Sequence, residues 1–434
     1  MEFSGKVLYL FFRMKPSRVL EGGATSFRET TMKTSRPRIR LCLEQLEDRI
    51  VPSSSIELTY ATTTDARTIS VNYTINGGSL AGQNVSFNIY RSARYDSLGG
   101  AQLIGTATIP GSDSADLSVG THTGIKLSLT AANGQPVTAL TPNTALPFIV
   151  VVDNLDNSSA SFQTHVLGVI AHGLEFDPFL VFSDQVPQWE TQMAADLKSD
   201  GYDDAIAFNW VRLSVLPFPF ALTLASNLLY QQVVAEANQL AGQHPGDVVD
   251  IHFIGHSRGA VVISEVLQDL VGTTDPALQG GYMEMTLLDP HPANPAYSQF
   301  SAAPFVPYAK DLIAFVTTFE KLTLDPQVII PSNVDQVQDF DQQTPAGQLG
   351  FLLGAWGAFE TANYSQVIDQ LIEFALNLWG EPAAALPNQS GQPIAETNLT
   401  NVFASGIGLI GHSDVPLWYL NNVVAPSETF SYFG

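Results

Sequence analysis

The sequence has a single cysteine, Cys42, and it lies in a basic stretch near the start. The rest of the chain therefore has no internal disulfide, no thiolate metal site and no cysteine nucleophile. Cations are scarce too: 19 Lys and Arg face 42 Asp and Glu. Ten of those 19 fall within residues 1–50, against six acids, so that stretch is +4 and the remaining 384 residues are −27. A body this negative excludes nucleic acid as a partner, because phosphates need Lys and Arg to neutralise them. Long hydrophobic runs are missing as well. The apolar run at 7–12 is far short of the 18 or more residues of a membrane span, so no transmembrane segment is expected. Yet charged residues make up only 14% and apolar ones 45%, which rules out a disordered acidic tail.

What is present divides into three parts. Residues 1–53 form a basic leader ending in Leu43-Glu44-Gln45-Leu46-Glu47-Asp48-Arg49. That run resembles the LExLEDR-type tag of exported bacterial surface proteins, which implies an exported or cell-surface protein. Met32 offers an alternative start. Residues 54–160 are rich in Thr, Ser, Val, Asn and Gly, with alternating runs such as Thr68-Ile69-Ser70-Val71-Asn72-Tyr73 and Val85-Ser86-Phe87-Asn88-Ile89-Tyr90. Alternation places apolar side chains on one face, and Asn76-Gly77, Gly99-Gly100 and Asn133-Gly134 supply turns. About seven strands are expected, and the module resembles an immunoglobulin-like or fibronectin-like sandwich.

From residue 163 the pattern changes. Apolar runs at 166–170, 205–210, 248–254 and 285–288 read as strands buried on both faces of a parallel sheet. Helical spacing lies between them, as in Trp189, Met193 and Leu197. The alternation predicts a doubly wound, mostly parallel α/β domain over 163–434, preceded by the all-β module.

The third of those runs leads directly into Gly255-His256-Ser257-Arg258-Gly259, and apolar positions at Val262, Val266 and Leu270 then follow at helical spacing. A GxSxG pentapeptide alone is weak. Between a strand and a helix it is a nucleophile elbow, in which Gly255 and Gly259 permit the turn that presents the Ser257 Oγ. A serine needs a base and a group to orient that base. His412, in a loop near the C-terminus, is the expected base; His291 follows Ser257 too closely for an acid-bearing strand to come before it. Asp289 ends the run at 285–288 and precedes Pro290, which suits the acid. Asp335, with Asp339 and Asp341, forms the alternative. For the oxyanion, one N–H is expected from Arg258 and one from the loop Ala171-His172-Gly173-Leu174, which resembles the His-Gly oxyanion loop of lipases; the resemblance implies that Leu174 donates. His172 and Gly173 support that loop, as His256 supports the elbow.

Together these motifs resemble the lipase/esterase branch of the α/β-hydrolase superfamily, the His-Gly pair being similar to its oxyanion loop. The resemblance implies a serine hydrolase acting on small-molecule or lipid-like carboxylic esters through an acyl-serine. The same triad also serves amidases, peptidases and acyltransferases, and an inert surface binding protein is a further alternative. A long interval separates Asp289 from His412, and 290–400 is the expected place for a lid. Pro217-Phe218-Pro219-Phe220 is a second candidate wall for an acyl pocket.

No metal or cofactor is expected. His252 and His256 are four apart, but one lies in a strand and one in the elbow, so they share no helix face as zinc ligands would. Gly406-Ile407-Gly408-Leu409-Ile410-Gly411 matches GxGxxG but lies too near the C-terminus to open a dinucleotide-binding unit.

Overall fold

A computed structural model describes residues 54–131, 133–137, 140–174, 185–216, 218–292, 294, 323–341, 385–399 and 414–426. The leader, most of the expected lid interval and His412 lie outside the described residues.

The β-rich module holds β1 (Ser55–Thr63), β2 (Thr68–Asn76), β3 (Val85–Ser92), β4 (Gln102–Ile109), β5 (Gly120–Ser128) and β6 (Phe148–Asp153). Their alternation works as expected: along β3 the burial alternates, with Val85, Phe87 and Ile89 fully buried. β1, β2 and β5 form a three-stranded antiparallel sheet. β3, β4 and β6 do not close a second, separate sheet. They join β7 (Ser159–Ala171), a 13-residue strand that changes partners along its length. Its first residues pair antiparallel with β6, from Ser159 to Gln163. From Thr164 onward it pairs parallel with β9 (Val248–His256), and from Leu167 with β8 (Asp204–Ala207). β10 (Met283–Leu288), β11 (Gln336–Asp341) and β12 (Ile394–Asn398) extend the parallel side, giving one nine-stranded sheet.

This corrects the expected architecture. Among the described residues five strand pairings are parallel and five antiparallel; three of the antiparallel ones lie within the nine-stranded sheet, so that sheet is mixed rather than a doubly wound parallel one. The fold is β-rich rather than a doubly wound α/β domain behind an independent immunoglobulin-like sandwich. The physical reason is β7. Thirteen residues span about 43 Å at ~3.3 Å per residue, enough to serve both halves, and the sequence carries no turn signal within it.

Helices cover the parallel half. α1 (Gln188–Ser199) packs Trp189, Met193 and Leu197 against Ile170, Ile254 and Leu288. On the opposite face lie α2 (Val211–Ser214), α3 (Pro219–Ala241), α4 (Arg258–Leu270) and α5 (Pro276–Gln279), which share a core with Val249, Ile251, Phe253, Met285 and Leu287. In α4, Val262, Ile263, Val266, Leu267 and Leu270 are buried, each contributing roughly 1.5–3 kcal/mol. α6 (Asp414–Tyr419) closes the described chain together with a π-turn at Leu420–Val424. No described helix is long and apolar enough to cross a membrane.

Charge holds the start of the parallel strands. Buried His165 on β7 lies between Asp203 and Asp247, 3.3 Å from each. Burial alone would lower its pKa, but the two carboxylates outweigh it and raise the pKa to about 9, so the ring is an imidazolium at neutral pH. Asp247 also accepts the Gln163 N–H at 2.7 Å. Nearby, the Arg67 guanidinium meets Asp335 at 2.6 Å, and Asp335 accepts the Met283 N–H.

Candidate active site

The junction of β9 and α4 places Ser257 in a left-handed backbone conformation, φ 54° and ψ −124°. A non-glycine residue there costs about 1–3 kcal/mol and persists only where its surroundings impose it. The surroundings do so at both ends. The Ser257 N–H donates to Leu288 O at 3.0 Å, and its carbonyl accepts from the N–H groups of Ala260 and His291. Close packing does the rest. A Cβ at Gly259 would collide with the carbonyl oxygens of Ala171 and His172, so only glycine lets α4 approach the end of β7. A Cβ at Gly173 would stand 2.5 Å from the Ser257 Cβ. Gly255 packs in the same way against Ala260.

The loop after β7 therefore lies against the serine. His172 is fully buried and its Nδ1–H donates to the carbonyl of Gly173 at 2.8 Å. Burial lowers its pKa to about 4, so the ring is neutral. The Trp210 indole N–H donates to His172 O at 2.9 Å and anchors the loop from below. Leu174, half-buried, is the last described residue of the loop. His256 is buried edge-on to Trp189, with ring centroids 5.9 Å apart.

Asp289 follows β10 on the neighbouring strand, where Leu288 pairs with His256. It is fully buried, donates its N–H to Phe340 O at 2.8 Å, and also has a positive φ of 49°. One strand further lies Asp341, at the end of β11. Burial first, then Glu396 and Asp289, raise its pKa to about 6. Ser257, Asp289 and Asp341 thus stand in a row across the carboxyl ends of three adjacent strands. Asp335 does not join them. It precedes β11, at the other end of that strand, and is held by Arg67. His412 lies outside the described residues.

Arg258 shows what the sequence could not. Its Nε and Nη2 donate to both oxygens of Asp325, at 2.7 and 2.9 Å, with both side chains buried. Nη1 donates to the carbonyl of Ser214 at 2.5 Å, and the guanidinium lies 5.7 Å from the Trp210 ring centroid. The side chain beside Ser257 is committed to packing the turn between β9 and α4. Phe218 and Phe220, expected to wall an acyl pocket, are stacked 5.5 Å apart but exposed, at 45% and 60%.

No protein-family model matches the chain, and no curated protein matches it. Two solved structures give partial likenesses. One is chitinase ChiW from Paenibacillus sp. str. FPU-7, a bacterial cell-surface-expressed multi-modular enzyme, at 8% identity and a TM-score of 0.15. The match covers 67% of this chain and 25% of that one. The other is a cycloisomaltooligosaccharide glucanotransferase from Paenibacillus sp., at 10% identity and a TM-score of 0.15, covering 66% of this chain and 49% of that one. The chain thus spans a quarter of the first protein and about half of the second. At these scores neither likeness carries an argument about fold or activity. The expected membership of the lipase/esterase branch of the α/β-hydrolases does not stand: the sheet is mixed and β-rich, not the doubly wound parallel sheet that the resemblance implies.

Proposed function

We propose that this chain is a serine hydrolase of carboxylic esters. The Ser257 Oγ attacks the acyl carbonyl while its proton passes to His412, which Asp289 orients. The N–H groups of Arg258 and Leu174 hold the oxyanion. Collapse expels the alcohol, which takes the proton from His412, and leaves an acyl-serine. Water, giving its proton to the same base, then releases the acid. A body of −27 repels anionic substrates, so neutral acyl esters, lipid-like ones included, are the substrate class, and the leader marks the protein for export.

One observation carries this reading. Ser257 is held at φ 54° between a strand and a helix, packed so tightly that Gly173 and Gly259 admit no side chain. Backbone strain of this kind concentrates at functional sites. A second reading, an inert surface binding protein, is favoured by the burial of Ser257, which is 2% exposed. Labelling with a fluorophosphonate probe separates the two. The hydrolase takes up one equivalent, mapped to the Ser257 peptide, whereas an inert protein stays unlabelled.

A further inference from the structure

The outer face of α3 departs from the rule that a surface helix is polar on its solvent side. Its inner face packs Leu222, Ala225 and Leu229 into the core shared with β9 and β10. On the opposite side Phe220, Leu224 and Leu228, spaced i, i+4 and i+8, are 60%, 45% and 46% exposed. Phe218, which caps the helix in an extended conformation, is 45% exposed and stacks on Phe220 with the rings 10° from parallel. The apolar exposure stops there. Gln231, Gln232, Asn238 and Gln239 take over the solvent side toward the other end of the helix.

Charge is absent over the same stretch. From 213 to 235 there is no Asp, Glu, Lys or Arg, in a chain of which 14% is charged. The helix and the turn at Ser257 are joined at this end, because Arg258 Nη1 donates to the carbonyls of Ser214 and Leu216, just before Phe218. The other arm of the same guanidinium holds Asp325. The residue before it, Leu324, is 51% exposed between Thr323 and Asp325, both fully buried. Leu324 also has a φ of 48°, a conformation costly for a leucine. One buried guanidinium thus ties two apolar protrusions to each other and to the residue after Ser257.

Five large apolar side chains held out in water mark an interaction surface. Together they expose on the order of 400 Å², about half of the ~800 Å² that each partner of a standard protein interface buries. A stretch without charge also offers a protein partner no complementary charge to read. A lipid–water interface needs neither a large area nor a matching shape. Phenylalanine and leucine enter it at the boundary between headgroups and acyl chains. The acidic body repels an anionic surface, so the lipid is uncharged overall. We propose that the start of α3 and Leu324 form one apolar surface that docks on an uncharged lipid–water interface, with Phe218, Phe220 and Leu324 inserted. Docking brings the turn at Ser257 close to that interface. Its use in hydrolysis rests on the esterase reading above; the docking itself does not.

The test is co-sedimentation of the full chain with phosphatidylcholine vesicles, with Ser257→Ala included so that binding is read apart from hydrolysis. Wild type and Ser257→Ala should bind equally, and phosphatidylglycerol added to the vesicles should weaken both. Phe220→Asp, and separately the uncharged pair Phe220→Ser with Leu324→Ser, should each lower the partition coefficient at least tenfold. Leu103→Asp puts the same charge on the edge strand β4, where Leu103 is 44% exposed, and should leave binding within twofold of wild type. All are surface changes, and the wild-type Tm is expected of each. Wild-type protein that stays in the supernatant, binding that survives the Phe220 and Leu324 changes, or an equal loss in Leu103→Asp overturns the proposal. So does a dimer in lipid-free solution that Phe220→Asp dissociates, because the surface then belongs to a second copy.

Discussion

The two ends of β9 bury polar groups in opposite ways. At its carboxyl end the strain is in the backbone: Ser257 and Asp289 both adopt positive φ, while the charge beside them, Arg258, is matched oxygen for nitrogen by Asp325. At its start the backbone is regular and the strain is electrostatic. Asp250 is buried with an unused oxygen, and His165 is kept charged by two carboxylates. Where geometry must be held for chemistry, a fully paired ion bridge acts as scaffold. Where charge is left incompletely matched, the group is poised to respond to protons.

The sharpest way to break this comparison is to unpair the scaffold. Asp325→Ala leaves a buried guanidinium without its carboxylate and should cost about 3–5 kcal/mol, read from denaturant unfolding. A loss under 1 kcal/mol would mean that the bridge does not hold the elbow. Gly259→Ala forces a methyl against two carbonyl oxygens of the neighbouring loop. It should cost about 1–3 kcal/mol and displace the loop after β7. Ester hydrolysis should then fall by more than the loss of folded protein accounts for.

The start of β9 should show itself in pH dependence. His165 has a folded pKa of about 9, raised from 6.5, so its stabilisation is fully present below pH 6.5 and is lost as pH rises to 9. Asp250 has a carboxyl pKa raised to about 7, chiefly by burial, so ionising it destabilises the fold as pH rises from about 4 to 7. The two slopes have the same sign. Stability should therefore fall steadily from pH 5 to 9, by on the order of 1–3 kcal/mol for the histidine alone. His165→Gln should flatten the upper half of the profile, and Asp250→Asn the lower. The smallest effect belongs to Asp335→Asn. Its partner Arg67 is 43% exposed, so the pair contributes about 1 kcal/mol or less, and hydrolysis should be unchanged because the residue lies at the far end of β11.

Local features of the site were legible in the sequence. The strand, the glycine spacing and the helical repeat after Ser257 are encoded within about 20 residues, and the contact of Gly173 with Ser257 follows from two motifs read separately. Asp289 was placed by its strand end and its prolines. Asp335 was a plausible rival only because sequence distance does not say at which end of a strand a residue sits. The Arg258–Asp325 bridge spans 67 positions and has no short-range signal. The architecture was misread for a related reason. Alternating runs before residue 160 and continuous runs after 163 look like two folds, yet β7 carries both patterns in one strand and joins them into one sheet.

The most direct test of the central claim is hydrolysis of neutral p-nitrophenyl esters by the wild-type chain and by Ser257→Ala, with folding checked by circular dichroism. The account predicts that the folded variant loses about 10³-fold or more in kcat/KM, as removal of a nucleophile does. A folded Ser257→Ala protein that hydrolyses these esters at the wild-type rate would contradict it.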